Sequence, residues 1–339
     1  MVLTKVFCSK CGASRENYEL VCNSCGSPFI IKVSGPYEKN MDGNFDYFEH
    51  PLIPLSSKTP VIETPEFMAK LEFYNPTLSY KDRGMNTLFS FLSEKKFLKK
   101  GDEVSEDSSG NAGASFAMFS QMLNLKATVY TSVSANPNKI RQIQGYGSRI
   151  ERINGSRKDV ENSAKNSGLI YLGHQYWPEF YDGFRVIAYE IFEQMDHLPE
   201  NILIPFSTGT LYLGIFEGFS HLLQNGLIDS IPTLWAIQPE IASGMFNKMN
   251  NINREPEPSV ADALTGIVPL RYSLLNSVIK TYGRCEVLAE DEIIRAKQSL
   301  LNLGIDCEYS SAITYATMKK FNLGKNSLLI LTGHGIKNI

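Results

Sequence analysis

Short apolar runs alternate with longer helical patterns from about residue 60 to the end of the chain. Strand patterns cover residues 127–131, 168–172, 202–205, 234–237 and 328–331, and helical patterns cover 82–97, 113–123, 137–145, 156–166, 184–195, 211–223, 290–303 and 312–321. Strands that alternate with helices of this length form parallel βαβ units. The pattern therefore predicts an α/β fold with parallel sheets. Its length suits two lobes, with a ligand cleft at the carboxyl ends of the strands.

Four cysteines lie close together at the start of the chain. Cys8, Cys11, Cys22 and Cys25 have the spacing C-x2-C-x10-C-x2-C, and a glycine follows each pair. Two tight turns can bring four thiolates to one tetrahedral metal, with zinc favoured and iron next. Four thiolates fill the coordination shell and leave no position for a substrate. The spacing therefore predicts a zinc-ribbon-like unit with a structural metal over residues 1–33.

Composition excludes several classes of protein. The chain has 339 residues, of which 43% are hydrophobic and 20% charged, so a disordered chain is excluded. A net charge of −3 gives no electrostatic basis for nucleic-acid binding. No run of 18 apolar residues indicates a membrane span, and the first residues do not resemble a secretory signal. We therefore expect a cytoplasmic protein with no nucleic-acid or membrane partner.

The remaining chain divides into two parts. Residues 34–58 are polar, aromatic and proline-rich, and they indicate a linker or an arm wrapped on the core. Residues 59–339 carry the α/β pattern, and we expect a smaller lobe over about residues 85–190 and a larger lobe over the remainder.

Lys81 stands where a loop becomes a helix, in the segment NPTLSYKDRG. The positive end of the helix dipole, with Arg83 close in sequence, disfavours an ammonium group and predicts a lowered pKa for Lys81. A neutral amine is what Schiff-base chemistry requires. The alternative is an ordinary solvated lysine at a helix start.

Three further loops carry groups suited to binding anions. Residues 107–114, DSSGNAGA, precede an apolar helix and can bind a carboxylate through hydroxyl and N–H groups, or simply cap the helix. Residues 205–211, PFSTGTL, follow a predicted strand and can cradle a phosphate. No Gly-Lys-Ser/Thr follows, so this is not a Walker loop. LTGHG follows the last predicted strand. The histidines His50, His174, His197 and His221 show no ligand spacing.

These motifs, in this order, resemble those of a known family. NPTLSYKDRG, SSGNAG, PNKIRQIQGYG, DGFRVIAYEI, EYSSA and LTGHGIK are similar to segments of pyridoxal-phosphate-dependent enzymes of the tryptophan-synthase-β type (fold type II), and of threonine synthases most closely. The resemblance spans about residues 59–337, and threonine-synthase-like chains often begin with a cysteine-paired ribbon. It implies the two-lobed fold type II architecture, a small-molecule amino-acid substrate and a homodimer.

The resemblance also implies roles for individual residues. Lys81 would hold pyridoxal 5′-phosphate as a Schiff base and later move protons, Asn111 would bond the cofactor's 3′-oxygen, and Thr332 would face its pyridine nitrogen. The substrate carboxylate would be bound by Ser108, Ser109, Gly110, Ala112 and Gly113. The cofactor phosphate would be held by Ser207, Thr208, Gly209, Thr210 and Leu211. A neutral hydroxyl at the pyridine nitrogen suits elimination and replacement chemistry more than transamination.

The implied reaction converts O-phospho-L-homoserine and water to L-threonine and phosphate. Threonine synthases usually have Gly-Ser-Phe-Lys where this chain has Leu78-Ser79-Tyr80-Lys81, and a phosphate loop richer in glycine. These departures keep other hypotheses open: β-replacement or elimination on another phosphorylated or hydroxy amino acid, cysteate-synthase-like or ammonia-lyase-like. A catalytically degenerate binding protein is a third reading, against which the retained Lys81 argues.

Overall fold

The computed structural model describes residues 2–108 and 110–338. At the start, β1 (Leu3–Cys8) and β2 (Phe29–Ser34) form an antiparallel pair whose register runs from Leu3 opposite Ser34 to Cys8 opposite Phe29. Because these strands flank the two cysteine turns, the pairing brings the beginning and end of the unit together. The buried side chains of Cys8, Cys22 and Phe29 form its small core.

A six-stranded sheet forms the centre of the larger lobe, with the strand order β11-β10-β9-β12-β4-β3. Only the edge pair β3–β4 is antiparallel, and the other neighbours are parallel. The strands are β3 (Val61–Glu63), β4 (Met68–Leu71), β9 (Asn201–Pro205), β10 (Thr233–Pro239), β11 (Gly283–Leu288) and β12 (Ser327–Leu331). The central strands β9 and β12 are almost wholly buried, as expected where helices cover both faces.

A second, four-stranded sheet is entirely parallel and has the order β7-β6-β5-β8. Its strands are β5 (Glu103–Glu106), β6 (Lys126–Ser132), β7 (Arg149–Ile153) and β8 (Ile170–Tyr171). The predicted α/β fold with parallel sheets and an N-terminal cysteine unit is therefore confirmed.

Eleven α-helices are present among the described residues. They are α1 (Lys81–Glu94), α2 (Asn111–Met122), α3 (Pro137–Gly145), α4 (Arg157–Lys165), α5 (Pro178–Asp182), α6 (Arg185–Gln194), α7 (Thr210–Gln224), α8 (Gly244–Met249), α9 (Tyr272–Tyr282), α10 (Glu290–Asn302) and α11 (Tyr309–Lys320). Side-chain caps mark the residues at which some of these helices begin. Asn136 caps α3 ahead of Pro137, and Ser156 and Asp159 form a reciprocal capping box on α4. Among the described helices, none combines the length and apolar character that a bilayer crossing requires.

All eight helical patterns and all five strand patterns correspond to observed elements, with ends shifted by up to three residues. The sequence patterns did not indicate α5, α8 or α9, nor the strands β3, β4, β5, β7 and β11. Three of these strands, EVSE, RIERI and GRCEVL, are rich in polar residues. The strands β7 and β11 lie at sheet edges, where one side remains open to solvent and polar residues are tolerated.

Residues 34–58 form an extended arm packed on the protein, with one 3-10 turn at Met41–Asn44. Phe45 and Phe48 are buried, and the Asn86 side chain bonds both the N–H and the C=O of Ile53. The arm therefore covers one side of α1, because its backbone groups find partners on that helix.

Arg83 of α1 belongs to a group of buried charges that we call the core ion cluster: Lys70, Glu72, Arg83 and Glu190. Arg83 donates from Nε to Glu72 at 2.6 Å and from Nη1 to Glu190 at 2.7 Å, and Lys70 Nζ donates to Glu190 at 2.6 Å. Two cations and two carboxylates are thus paired out of water. This pairing anchors the helix that begins at Lys81.

Candidate active site

A cavity of about 510 Å³ lies at the carboxyl ends of strands from both sheets. Its wall includes residues that follow β5, β6, β9 and β12, together with the first residues of α1, α2 and α7. Helix N-termini present free N–H groups and a positive dipole end. The cavity is therefore suited to a ligand with several anionic groups.

Lys81 is the first residue of α1, and its amine lies in this cavity. Its Nζ lies over two aromatic rings, 4.8 Å from the ring centroid of Tyr80 and 5.4 Å from that of Phe180. Arg83 was expected to act on this amine, but its guanidinium is bound in the core ion cluster and does not line the cavity. The environment of the amine is thus set by ring faces.

The first residue of α2, Asn111, has both ends of its amide engaged. Its Nδ2 donates to Glu308 at 2.9 Å, and its Oδ1 accepts from Nζ of Lys337 at 2.8 Å. Lys139 Nζ lies 3.5 Å from the other Glu308 oxygen and also binds Asp262. Burial lowers the pKa of Lys337 to about 8. These contacts hold the Asn111 amide in one orientation at the cavity wall.

The segment from Ser207 to Leu211 lines the cavity where β9 passes into α7. Gly209 has φ +77° at the N-cap of α7, a left-handed conformation that glycine adopts without strain. Thr208 and Thr210 Oγ1 lie 3.2 Å apart, and the first N–H groups of α7 have no intrahelical acceptor. All five predicted residues are brought to one place, with hydroxyl and amide donors for a phosphate-sized anion.

The predicted carboxylate loop is only partly assembled at the cavity. Ser108, Gly110 and Ala112 line it, whereas Gly113 does not. A Cβ at Gly113 would lie 1.8 Å from the carbonyl oxygen of Ser108, so this glycine allows the loop to pack on α2. Ser109 lies outside the described residues.

Thr332 follows β12 and lines the cavity. Its Oγ1 lies 2.9 Å from the hydroxyl of Ser311, and its carbonyl accepts the N–H of Tyr80 at 3.0 Å. Of the two departures from the family pattern, Tyr80 lines the cavity beside Lys81. Leu78 does not: it has φ +61° and lines a separate groove. Tyr80 is therefore the departure that can affect a ligand in the cavity.

Sequence reasoning missed several ionisable residues at or behind the cavity wall. Asp107, Arg157 and His174 line the cavity, and Glu106 lies directly behind His174. Asp107 accepts from Tyr171 at 2.8 Å and pairs with Arg157 at 2.5 Å. Only Asp107 lay in a segment that the motifs marked. The others come from the end of β5, the start of α4 and the loop after β8.

The four N-terminal cysteines converge as their spacing predicts. Their sulfur atoms all lie within 4.8 Å of one another, with Cys8–Cys25 at 3.3 Å, Cys11–Cys22 at 3.6 Å and Cys11–Cys25 at 3.7 Å. Tetrahedral zinc with Zn–S bonds of about 2.3 Å needs sulfurs about 3.8 Å apart. Hydrogen bonds from Ser27 lower the pKa of Cys25 to about 6, which favours a thiolate ligand. The donor set fits a structural zinc ion.

Comparison with known proteins identifies the class. A family model described as "Pyridoxal-phosphate dependent enzyme" matches residues 45–333. The chain belongs to this family. Threonine synthase of Methanocaldococcus jannaschii is 25% identical, covering 98% of this chain and 92% of that protein. Threonine synthase of Methanosarcina acetivorans is 27% identical, covering 79% of this chain and 70% of that protein.

Solved structures of this pyridoxal-phosphate family share the fold. O-ureido-L-serine synthase superposes with a TM-score of 0.69 at 19% identity, covering 83% of this chain and 90% of that chain. Serine racemase from Dictyostelium discoideum gives 0.67 at 24% identity, covering 81% and 92%. At such identity the likeness establishes the fold type II architecture and not the reaction.

The cavity fits the cofactor that gives this pyridoxal-phosphate family its name. Its volume lies within the roughly 300–1,000 Å³ of small-molecule sites, enough for the cofactor and an amino acid. It offers an amine at Lys81, amide and hydroxyl donors at the start of α7 and a neutral hydroxyl at Thr332. These are the partners that an aldehyde, a phosphate and a pyridine nitrogen require.

Proposed function

We propose that this enzyme converts O-phospho-L-homoserine and water to L-threonine and phosphate. The observation that carries the proposal is the single cavity in which Lys81, Asn111, the Ser207–Leu211 segment and Thr332 meet. It occurs in a chain that matches a threonine synthase over 98% of its own length and 92% of the relative's. Near-complete coverage of both chains supports a shared reaction more strongly than the fold does.

The cofactor would be held at three places. Lys81 Nζ is the amine that would bind its aldehyde, and the N–H and hydroxyl groups of Ser207, Thr208, Gly209, Thr210 and Leu211 would hold its phosphate. Thr332 would meet the pyridine nitrogen with a hydroxyl oriented by Ser311. When bound, pyridoxal phosphate withdraws electrons from the carbon atoms of the attached amino acid. A neutral Thr332 limits that withdrawal, which suits elimination and addition.

The amino-acid substrate would be oriented by the loop between β5 and α2. Ser108, Ser109, Gly110, Ala112 and Gly113 would hold its carboxylate, the first four as direct contacts and Gly113 by letting the loop pack closely. Asn111 would donate to the 3′-oxygen of the cofactor, with its amide fixed by Glu308 and Lys337. Lys81 would move protons on the substrate carbons, since the amine that would bind the cofactor lines the same cavity, over two ring faces.

The test of this function is phosphate release from O-phospho-L-homoserine by cofactor-loaded protein, with Lys81→Ala as the control. We expect phosphate and L-threonine in equal amounts, and neither from the variant. No phosphate from a protein that carries the cofactor's visible absorbance would refute this reaction and leave the family intact.

A second reaction is favoured by Tyr80, which occupies the cavity wall with its ring 4.8 Å from the amine of Lys81. A bulky ring beside the amine that would bind the cofactor would leave room for a shorter substrate, so β-replacement or elimination on a serine derivative is the alternative. A panel of O-phospho-L-serine, O-acetyl-L-serine, L-serine and L-threonine distinguishes the two. Faster turnover of any of these than of O-phospho-L-homoserine would favour the alternative.

The N-terminal unit would bind one zinc ion through Cys8, Cys11, Cys22 and Cys25, with a structural role. Elemental analysis should find about one zinc per chain, and Cys11→Ser should lose most of it. Cys285→Ser is the matched control, because that thiol lies in β11 and is not one of the four converging cysteines. Zinc retained by the Cys11 variant would contradict a four-thiolate site.

A further inference from the structure

Glu106 and His174 form a buried pair at the cavity wall. Glu106 ends β5, and His174 follows β8, its parallel neighbour in the sheet. Glu106 Oε1 lies 2.9 Å from Nδ1 of His174, and Oε2 accepts the backbone N–H of His174 at 3.1 Å. Two contacts from one carboxylate fix both the ring and its backbone. His174 lines the cavity, whereas Glu106 is fully buried behind it.

The surroundings of the pair determine which ring nitrogen is free. Burial lowers the pKa of His174 well below its ordinary value. The charges of Lys81 and Arg157 lower this pKa further, whereas the charge of Asp107 opposes them. Burial also raises the pKa of Glu106 to about 7. The imidazole is therefore neutral. In the tautomer whose Nδ1–H donates to the ionised Glu106 carboxylate, Nε2 keeps a lone pair. Since Nδ1 is engaged, Nε2 is the nitrogen left for a ligand.

The pair stands close to the reactive amine. The His174 ring centroid lies 4.9 Å from that of Phe180, and Nζ of Lys81 lies 5.4 Å from the same Phe180 centroid. Two nitrogen bases therefore border one aromatic ring at the cavity wall. One base can transfer protons at the α-carbon of a bound amino acid while the other transfers protons at its side chain.

We propose that Glu106 and His174 form an acid–base dyad for the water that adds to the substrate side chain. The role of the dyad in adding water rests on the proposed function. Loss of phosphate from the γ-carbon, with a proton from the β-carbon, leaves a double bond between these two carbons. Transfer of the α-proton to the γ-carbon by Lys81 forms the methyl group and moves the double bond to the α- and β-carbons. The water oxygen then forms a bond to the β-carbon, and Nε2 of His174 takes one proton of the water and passes it to the released phosphate. The α-carbon receives a proton from Lys81, which completes the addition of H and OH. Glu106 is the positioning residue, because it holds Nδ1 and balances the charge of the imidazolium.

His221 shows what a histidine with only a structural role looks like in this protein. Its Nδ1 lies 2.7 Å from the hydroxyl of Tyr189 and its Nε2 lies 3.0 Å from the carbonyl of Gly35, so both ring nitrogens have partners. It does not line the cavity. His221→Gln is therefore a matched control for the loss of a buried imidazole.

The experiment measures how the substrate is divided between two products, L-threonine and 2-oxobutyrate. Cofactor-loaded wild type, His174→Gln, Glu106→Gln and His221→Gln are given O-phospho-L-homoserine, and phosphate, L-threonine and 2-oxobutyrate are quantified. Loss of phosphate without controlled addition of water at the β-carbon ends in 2-oxobutyrate and ammonia. We expect His174→Gln to release phosphate within about threefold of wild type while L-threonine falls about 10²-fold. Glu106→Gln should lower L-threonine about tenfold, and His221→Gln should leave the product ratio unchanged.

A constant ratio of L-threonine to phosphate in His174→Gln would overturn the dyad, whatever the total rate. If wild type releases no phosphate, the proposed function fails. The dyad is then tested on the reverse step, which is the loss of water from L-threonine, by measuring 2-oxobutyrate. His174→Gln must then slow 2-oxobutyrate formation at least about tenfold, with an unchanged shift of cofactor absorbance on binding L-threonine. Equal rates in that assay, or no product from either amino acid, would overturn the dyad too.

Discussion

Two groups of ionisable side chains lie close to the start of α1, and they differ in how completely they are paired. In the core ion cluster, Arg83 reaches both carboxylates, and Lys70 Nζ also donates to the carbonyl of Thr59 and to Gln194. At the cavity, Lys81 rests on ring faces, and His174 has one nitrogen engaged by Glu106. Charges with a full set of ion-pair and hydrogen-bond partners hold the fold together. Ionisable groups beside a cavity that lack some of these partners remain available to a ligand.

The same contrast is visible in the pKa values. Burial opposes charge on Glu72, yet Arg83 and Lys70 hold its pKa below the usual range. Glu106 is equally buried, but with no cation bonded to it, burial prevails and its pKa rises to about 7. A pKa close to neutrality is the property that acid–base chemistry requires. Pairing, rather than burial, separates the two groups.

The largest effect is expected from Lys81→Ala. It should lower turnover by at least about 10³-fold and abolish the visible absorbance of the bound cofactor, because the amine that would hold it is gone. The melting temperature should change little, since this amine anchors no part of the fold. Retained absorbance in the variant would show that another group holds the cofactor.

Arg83→Met should show the opposite pattern. It leaves two buried carboxylates with only Lys70, so we expect the free energy of unfolding to fall by about 3–5 kcal/mol. Urea unfolding measures this, and turnover per folded molecule should stay within a few-fold of wild type. A loss below about 1 kcal/mol would show that the cluster relaxes and that its pairing is not what stabilises α1.

Glu106→Gln should alter how stability depends on pH. The pKa of Glu106 is higher in the folded protein than in the unfolded chain. Its contribution to the free energy of unfolding is therefore fully present below about pH 4.5 and is lost as the pH rises through about 7. The wild type should therefore lose about 3 kcal/mol between these limits through this group, and the variant should not. Urea unfolding at pH 5 and pH 8 gives the difference. Parallel pH profiles would show that Glu106 is ionised in the folded protein at both.

The smallest effect is expected from Lys337→Met. It removes the donor to Asn111 Oδ1, so the amide loses one of its two orienting contacts while Glu308 remains. We expect the affinity for pyridoxal phosphate to fall about tenfold, equivalent to about 1.4 kcal/mol. Fluorescence titration of the cofactor measures it, with Lys320→Met as a control on the surface. Equal affinity for both variants would show that Glu308 alone orients Asn111.

Local signals and the family resemblance indicated many residues of the candidate site. The cysteine spacing predicted the sulfur cluster, and the hydroxyl-rich loops placed Ser207–Leu211, Asn111 and Thr332 at one cavity. These signals are local because each motif is a single turn whose backbone presents its own donors. Leu78 and Arg83 are close to Lys81 in sequence but do not line the cavity, because the direction of a side chain depends on elements far along the chain.

The sequence by itself determined the alternation of strands and helices, the metal-type cysteine unit and the loops that bear the anion-binding groups, since these depend on residue type and spacing over a few residues. Only the tertiary structure decided that Glu106 meets His174, 68 residues later, and that Arg83 pairs with Glu190, 107 residues later. The first pair follows from the parallel register of β5 and β8, and the second from the packing of α1 near α6. Register and packing are properties of the whole chain, because the free energy of burying each apolar face is shared among all the elements that cover it.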